Sequence, residues 1–129
     1  MDLKVILIIV VIAVAAAYYL FTPKNPLITG EELLKQMQDK KPMALIDVRT
    51  PEEFASGHIE GAVNVPLAGL EKDIVKAVPD KKSYVVVYCR SGRRSANASS
   101  ALIKMGYTNL VNYKGSMIDW TNKGYKTVK

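Results

Sequence analysis

The feature that most constrains this sequence is the alternation of short apolar runs with segments that carry helix-start signals. The clearest strand is residues 84–88 (YVVVY), and the clearest helix start is Thr50-Pro51-Glu52-Glu53, with an N-cap, a proline and a glutamate in their preferred positions. The predicted strands are residues 43–48, 62–65, 84–88 and 109–113. The predicted helices are residues 30–38, 51–56, 67–77 and 95–105. Strands that alternate with helices predict an α/β fold with a mainly parallel sheet.

Residues 5–21 form a separate apolar run that contains no charged residue. A buried helix of a soluble domain is disfavoured because the run has no polar face. As a helix it would span roughly 25 Å, close to the ~30 Å hydrocarbon core of a bilayer, and Tyr18 and Tyr19 stand where interfacial aromatics are expected. We therefore predict a membrane-spanning helix over residues 3–21, a linker with two prolines over residues 22–28, and one domain over residues 29–129.

The fate and orientation of this segment leave alternatives open. Ala15-Ala16-Ala17 matches the small-residue pattern of a signal-peptide cleavage site, so a cleaved signal is the alternative to an uncleaved anchor. Lysines after the helix outnumber Lys4 before it, which by the positive-inside rule would keep the domain in the cytoplasm. The position of the helix at the start of the sequence instead resembles an export signal. On that ground we expect an extracytoplasmic, periplasmic-side domain.

Charge and cysteine content narrow the classes of partner. The formal net charge of +6 at pH 7 favours small anions or an anionic lipid surface. The sequence shows no basic stripe interleaved with aromatic residues, so we expect no nucleic-acid partner. With one cysteine, Cys89, and one histidine, His58, neither an intrachain disulfide nor a cysteine or histidine zinc cluster is expected, and no cofactor is predicted.

Cys89 directly follows the strand at residues 84–88 and begins a polar loop. In open α/β sheets, ligands bind beyond the carboxyl ends of the strands. Loop N–H groups, a helix N-terminus and cationic side chains all favour a thiolate, so the pKa of Cys89 is expected to fall below its ordinary value. Gly92 fits a position that needs positive φ or close backbone approach, and Ser95 is a candidate helix cap. An inert core cysteine is the alternative, which fits poorly with the arginines that follow: Arg90, Arg93 and Arg94.

Several segments together resemble the rhodanese family. Residues 47–54 (DVRTPEEF) and 57–66 (GHIEGAVNVP) resemble its first signature, and residues 86–95 (VVYCRSGRRS) resemble its active-site loop. Its C-terminal signature is matched by residues 105–107 (MGY), 115–120 (GSMIDW) and 124–125 (GY). One departure is Lys114-Gly115, where the family often has two adjacent glycines. The resemblance covers nearly all of residues 29–129.

This resemblance implies a flavodoxin-like or doubly wound α/β domain that transfers sulfur through a cysteine persulfide. Cys89 would be the nucleophile, and a small anionic donor such as thiosulfate would meet the loop formed by Arg90, Ser91, Gly92, Arg93, Arg94 and Ser95. The acceptor would be thiophilic: cyanide, a thiol or an acceptor protein. Because the sequence has no second cysteine, that acceptor must be another molecule.

Further residues of the signature have possible supporting roles. Asp47 lies at a strand end, where its carboxylate would either pair with a loop arginine or fix the turn. Arg49 is a second possible supporting residue, although a structural role is favoured for it, as for His58 and Glu60. Trp120 is expected in the core.

Two other functions remain as alternatives. A non-catalytic rhodanese-like binding module at a membrane would keep the fold without the chemistry. A cysteine-dependent phosphatase or arsenate reductase would use a similar anion-binding loop with a C-x5-R pattern. In this sequence the sixth residue after Cys89 is Ser95, and the nearby arginines precede it. The loop therefore suits sulfur chemistry better.

Overall fold

A computed structural model describes residues 1–21 and 25–129 of the chain. Its first element is helix α1 (Leu3–Phe21), all of whose residues are exposed. At 19 residues, this helix is long and apolar enough to cross a membrane, a property that N-terminal signal sequences share. Residues 22–24 of the predicted linker lie outside the described residues.

The remaining described residues form an α/β domain. Its helices are α2 (Gly30–Gln38), α3 (Pro51–Ser56), α4 (Leu70–Ala77), α5 (Arg93–Lys104) and α6 (Ser116–Asn122). Its strands are β1 (Ala44–Asp47), β2 (His58–Ile59), β3 (Val63–Asn64), β4 (Val85–Tyr88), β5 (Leu110–Asn112) and β6 (Thr127–Val128).

Four parallel strands form the main sheet in the order β3-β1-β4-β5. Residues 26–28 lie along its β5 edge, where the Ile28 N–H donates to the Asn112 carbonyl at 3.0 Å. A separate two-stranded antiparallel sheet joins β2 to β6. The predicted parallel sheet flanked by helices is confirmed, whereas the small second sheet is a feature that sequence periodicity did not predict.

The sheet separates two hydrophobic cores because successive side chains of a strand point to opposite faces. From β4 and the residue after it, Val85, Val87 and Cys89 pack into the core that contains α4 and α5. Val86 and Tyr88 pack into the core that contains α2 and α6. A strand buried on both faces has no polar alternation, which explains the continuous apolar run in its sequence. The same alternation turns the Cys89 side chain towards α5.

Helix α5 begins two residues earlier than the sequence predicted. Its N-cap is Gly92, which has φ 98° and, as a glycine, no side chain that could cap the helix. A Cβ at this glycine would lie 2.4 Å from the Lys114 carbonyl oxygen, so both expected reasons for a glycine are present. The prediction that Ser95 caps the helix is wrong, because Ser95 lies inside the first turn and its hydroxyl donates to the Gly92 carbonyl at 3.1 Å.

Candidate active site

Cys89 lies immediately beyond the carboxyl end of β4 and is completely buried. The loop turns back over it, so that the Gly92 N–H donates to Sγ of Cys89 at 3.1 Å. The backbone around it is anchored to α6: Met117 N–H donates to the Cys89 carbonyl and Ile118 N–H to the Arg90 carbonyl, each at 3.0 Å. The sulfur is thus held in a hydrogen-bonded loop between two helices.

Two serines flank the thiol. Oγ of Ser95, in the first turn of α5, lies 3.5 Å from Sγ of Cys89. Oγ of Ser116, the first residue of α6, lies 3.7 Å from the same sulfur and accepts a hydrogen bond from the Cys89 N–H at 3.0 Å. Both serines are fully buried. Ser116 was not singled out from the sequence, although it lies within the matched segment 115–120.

These contacts lower the pKa of Cys89 below its ordinary value. Burial acts in the opposite direction and is the largest single influence, because it disfavours the charged form. The hydrogen bonds of Ser95, Gly92 and Ser116 to the sulfur together outweigh it. In the described part of the chain, none of the loop arginines donates a hydrogen bond to Sγ. Local hydrogen bonds, more than the arginine charges emphasised in the sequence prediction, therefore favour the thiolate.

The loop arginines occupy different environments. Arg94 forms two hydrogen bonds with the Glu53 carboxylate of α3, at 2.6 and 2.9 Å. The hydrogen bonds with Glu53 are the main reason that the pKa of the Arg94 guanidinium is raised. The negative charge of the Cys89 thiolate makes a smaller contribution in the same direction. Arg90 and Arg93 are exposed. Arg94 is held in place by a neighbour, and the other two arginines lie at the surface.

Asp47 and Arg49 form a buried ion pair. The guanidinium of Arg49 donates to both carboxylate oxygens of Asp47, at 2.7 to 3.1 Å, and also to the Gly57 carbonyl at 2.7 Å. The possible pairing of Asp47 with a loop arginine is therefore wrong, and the alternative of a turn-fixing carboxylate agrees with these bonds. The physical reason is proximity: the Arg49 side chain folds back over a separation of two residues and saturates the carboxylate.

The other signature residues lie away from the sulfur. His58 stacks on Phe54 with ring centroids 3.6 Å apart, and its Nδ1 lies 2.8 Å from the Phe54 carbonyl oxygen. Glu60 pairs with Lys126 at 3.4 Å on the surface. Trp120 is 1% exposed and lies in the core with α2. These contacts agree with the structural roles expected for the three residues.

Two depressions border the loop. The larger one, of about 570 Å³, includes Ser91, Lys114 and Ile118 in its lining, and the smaller one, of about 300 Å³, includes Arg49 and Arg90. Cys89 lines neither depression, since the loop and the two serines cover its sulfur. The sulfur therefore lies beneath the loop, next to both depressions but outside their linings.

Fold and site together define a class of protein: a parallel α/β domain with one cysteine cradled in a hydrogen-bonded loop at the end of a central strand. The family model described as rhodanese-like domain matches residues 29–123. The chain belongs to the rhodanese-like family, and the resemblance inferred from the sequence is confirmed.

Relatives of known name agree with this assignment. A sulfurtransferase of Allochromatium vinosum is 35% identical over 101 residues, which cover 78% of this chain and 92% of the relative. Thiosulfate sulfurtransferase PspE of Escherichia coli is 47% identical over 70 residues, 54% of this chain and 67% of the relative. The structure of the human single-domain sulfurtransferase TSTD1 superposes with a TM-score of 0.69 at 29% identity, covering 76% of this chain and 96% of that one.

Proposed function

We propose that this protein is a sulfurtransferase that moves a sulfane sulfur from a thiosulfate-type donor to a thiophilic acceptor through a persulfide on Cys89. The observation that carries the proposal is the cradle around Sγ, where the Gly92 N–H donates to the sulfur at 3.1 Å and the Ser116 and Ser95 hydroxyls lie beside it. The names of the relatives, a thiosulfate sulfurtransferase and a sulfurtransferase, support the transfer of sulfur.

In the first half-reaction, the thiolate attacks the outer sulfur of thiosulfate. A new S–S bond forms at Cys89, the S–S bond of thiosulfate breaks, and sulfite leaves with the bonding electron pair. The negative charge moves from the thiolate to the outer sulfur of the persulfide, and the loop N–H groups are suited to hold it. Exposed Arg90 and Arg93 and the partly buried Arg94 supply positive charge towards the sulfonate end of the donor.

In the second half-reaction, an acceptor nucleophile attacks the outer sulfur of the persulfide and regenerates the thiolate. With cyanide the product is thiocyanate, and with a thiol it is a new persulfide. Cys89 is the single cysteine of the sequence, so the acceptor belongs to a second molecule.

The test is the intact mass of the protein after incubation with thiosulfate. We expect the addition of one sulfur atom, its loss on addition of cyanide with release of thiocyanate, and neither event in Cys89→Ser. Turnover by Cys89→Ser would refute the persulfide mechanism. Failure of the wild-type protein to load sulfur would favour the non-catalytic binding module, and hydrolysis of a phosphate ester in a parallel assay would favour a phosphatase.

We also propose that α1 holds this domain at a membrane, with the domain on the extracytoplasmic side. Support comes from the uncharged sequence of residues 5–21 and from the exposure of every residue of α1. The anionic head groups of the lipid surface would also attract a chain of net charge +6.

A further inference from the structure

Ser116 adopts a backbone conformation that ordinarily selects glycine. Its φ is 57°, in the left-handed region. Residues with a Cβ are strained in this region, whereas glycine adopts it freely. Ser116 is nevertheless completely buried, and its neighbour Gly115 has an ordinary helical φ of −61°. A serine in this conformation carries a local strain that glycine would avoid, so we asked what its hydroxyl contacts.

The hydroxyl of Ser116 contacts Cys89 in two ways. Its oxygen accepts the Cys89 N–H at 3.0 Å, and it lies 3.7 Å from Sγ. The Tyr113 carbonyl oxygen is also within reach, at 2.9 Å. Because a hydroxyl carries one proton, it donates either to this carbonyl or to the sulfur. When Cys89 is a thiol, the Ser116 hydroxyl is expected to donate to the Tyr113 carbonyl. When Cys89 is a thiolate, its negative charge attracts the hydroxyl proton to the sulfur.

The turn that carries Ser116 is locked against the cysteine loop. The Lys114 carbonyl oxygen lies so close to Gly92 that a Cβ there would approach it to 2.4 Å. Next to Ser116, the Met117 N–H donates to the Cys89 carbonyl at 3.0 Å. The Tyr113 N–H donates to the Val87 carbonyl at 2.9 Å. The hydroxyl is therefore held beside the sulfur before any reactant binds, and only its proton needs to rotate.

We propose that Ser116 is a catalytic residue of this site, which donates its hydroxyl proton to the Cys89 sulfur and thereby stabilises the thiolate both for attack and as leaving group. The proposal deepens the proposed sulfur-transfer function, in which Cys89 is the nucleophile and, in the second step, the leaving group. The Ser95 hydroxyl donates to the Gly92 carbonyl, whereas the Ser116 hydroxyl is placed to donate to the sulfur from α6. The strained backbone of Ser116 is the conformation that aims this hydroxyl.

Two variants separate chemistry from structure. Ser116→Gly and Ser116→Ala both remove the hydroxyl, but only the glycine variant relieves the left-handed conformation. We expect Ser116→Ala to be the less stable of the two, measured as thermal midpoint. If the hydroxyl acts on the sulfur, both variants lose reactivity to a similar extent despite this difference in stability. If Ser116 only fills a turn, reactivity follows stability and the glycine variant is unimpaired.

The readout is the pH dependence of Cys89 alkylation by iodoacetamide, which reports the thiolate without requiring sulfur transfer. We expect both variants to move the midpoint upwards by about one pH unit, equivalent to about tenfold less thiolate below the midpoint. Ser99→Ala is the matched control, because Ser99 is fully buried in α5 and its hydroxyl has no hydrogen-bond partner within residues 1–21 and 25–129. Its alkylation profile should equal that of the wild type.

An unchanged alkylation profile in Ser116→Gly would overturn the role of Ser116. Measuring sulfur loading on the same variants separates the role of the Ser116 hydroxyl from the proposed sulfur transfer. A shifted profile in a protein that never takes sulfur from thiosulfate would refute the proposed sulfur transfer and leave the hydroxyl's effect on the thiolate intact. Normal sulfur loading with an unshifted alkylation profile would refute the role of Ser116 and leave the proposed sulfur transfer intact.

Discussion

The guanidinium of Arg94 and the carboxylate of Glu53 are joined by two hydrogen bonds of 2.6 and 2.9 Å. They connect the first turn of α5, which follows the cysteine loop, to the first turn of α3. Glu53 also completes the capping box of α3 with Thr50. One carboxylate therefore caps a helix and positions a loop arginine at the same time.

This relationship predicts a pH-dependent contribution to stability. The hydrogen bonds of Arg94, followed by those of Thr50, lower the pKa of Glu53 from 4.5 to about 2. A carboxyl whose pKa is depressed on folding stabilises the native state above its unfolded pKa and loses that effect as the pH falls. The free-energy difference between wild type and Glu53→Gln should therefore be present at pH 7 and shrink between about pH 4.5 and 2.

The size of this difference is limited by solvent. The side chains of Arg94 and Glu53 are 33% and 30% exposed, so screening restricts the ion pair to about 1 kcal/mol. Urea unfolding of both proteins at a series of pH values measures it. Glu60→Gln is the matched control, since it removes an ion pair at 3.4 Å between side chains that are mostly exposed. A difference for Glu53→Gln that stays constant down to pH 2 would contradict the assignment.

Replacement of the arginines tests donor binding. Arg93→Ala and Arg94→Ala should each raise the KM for thiosulfate more than they change the reaction of the persulfide with cyanide. A charge-assisted hydrogen bond of about 1.5–3 kcal/mol corresponds to a tenfold or greater effect. Steady-state kinetics with separate variation of the two substrates provides the measurement. Unchanged KM values in both variants would mean that loop N–H groups alone bind the donor.

Glu53→Gln serves as the control for Arg94→Ala in this assay. It weakens the ion pair that holds Arg94 but leaves the guanidinium in place. An effect of Arg94→Ala on KM that Glu53→Gln does not share belongs to the charge of Arg94. If both variants impair thiosulfate use equally, the fixed position of Arg94 is what matters.

The packing of the cysteine loop predicts a contrast between two glycines. Gly92 and Gly124 both have positive φ, 98° and 72°. An added Cβ at Gly92 would meet the Lys114 carbonyl oxygen at 2.4 Å, whereas one at Gly124 would meet nothing within 4 Å. Gly124→Ala should therefore cost only the left-handed conformation, about 1–2 kcal/mol. Gly92→Ala should cost more and also slow alkylation of Cys89, because it displaces the N–H that reaches Sγ. Equal unfolding free energies for the two variants would contradict this account.

The anchor proposal predicts the behaviour of the whole protein in cells. The full-length chain should remain in the membrane fraction after a wash in about 1 M salt, where screening shortens to ~3 Å and electrostatic adhesion is lost. Deletion of residues 1–22 should release a soluble and active protein. A mature soluble form that begins near Tyr18 would show instead that Ala15-Ala16-Ala17 is a cleavage site.

Orientation needs a separate measurement. Protease added to intact spheroplasts should digest a domain on the extracytoplasmic side. Digestion only after lysis would place the domain in the cytoplasm and make the count of lysines beside the helix the better guide.

Much of this protein is determined by local sequence. The capping box at Thr50 and Glu53 formed as predicted, because its hydrogen bonds join residues within one helical turn. The run at residues 84–88 predicted a buried strand, because five successive apolar or aromatic residues suit a strand covered on both faces. That strand places Cys89 at the edge of the sheet, so the position of the candidate nucleophile could be predicted without a structure.

The surroundings of Cys89 were decided by the tertiary structure. Ser116 reaches the sulfur across 27 residues of sequence, and Glu53 reaches Arg94 across 41. Neither contact could be predicted from a periodic pattern or from a capping motif. Each contact depends on how α6 and α3 pack at the carboxyl edge of the sheet. The partner of Asp47 was likewise open until the Arg49 side chain could be placed. Local hydrogen-bonding patterns determine the order of the elements and the location of Cys89, whereas the long-range packing of helices on the sheet determines which groups surround the thiolate.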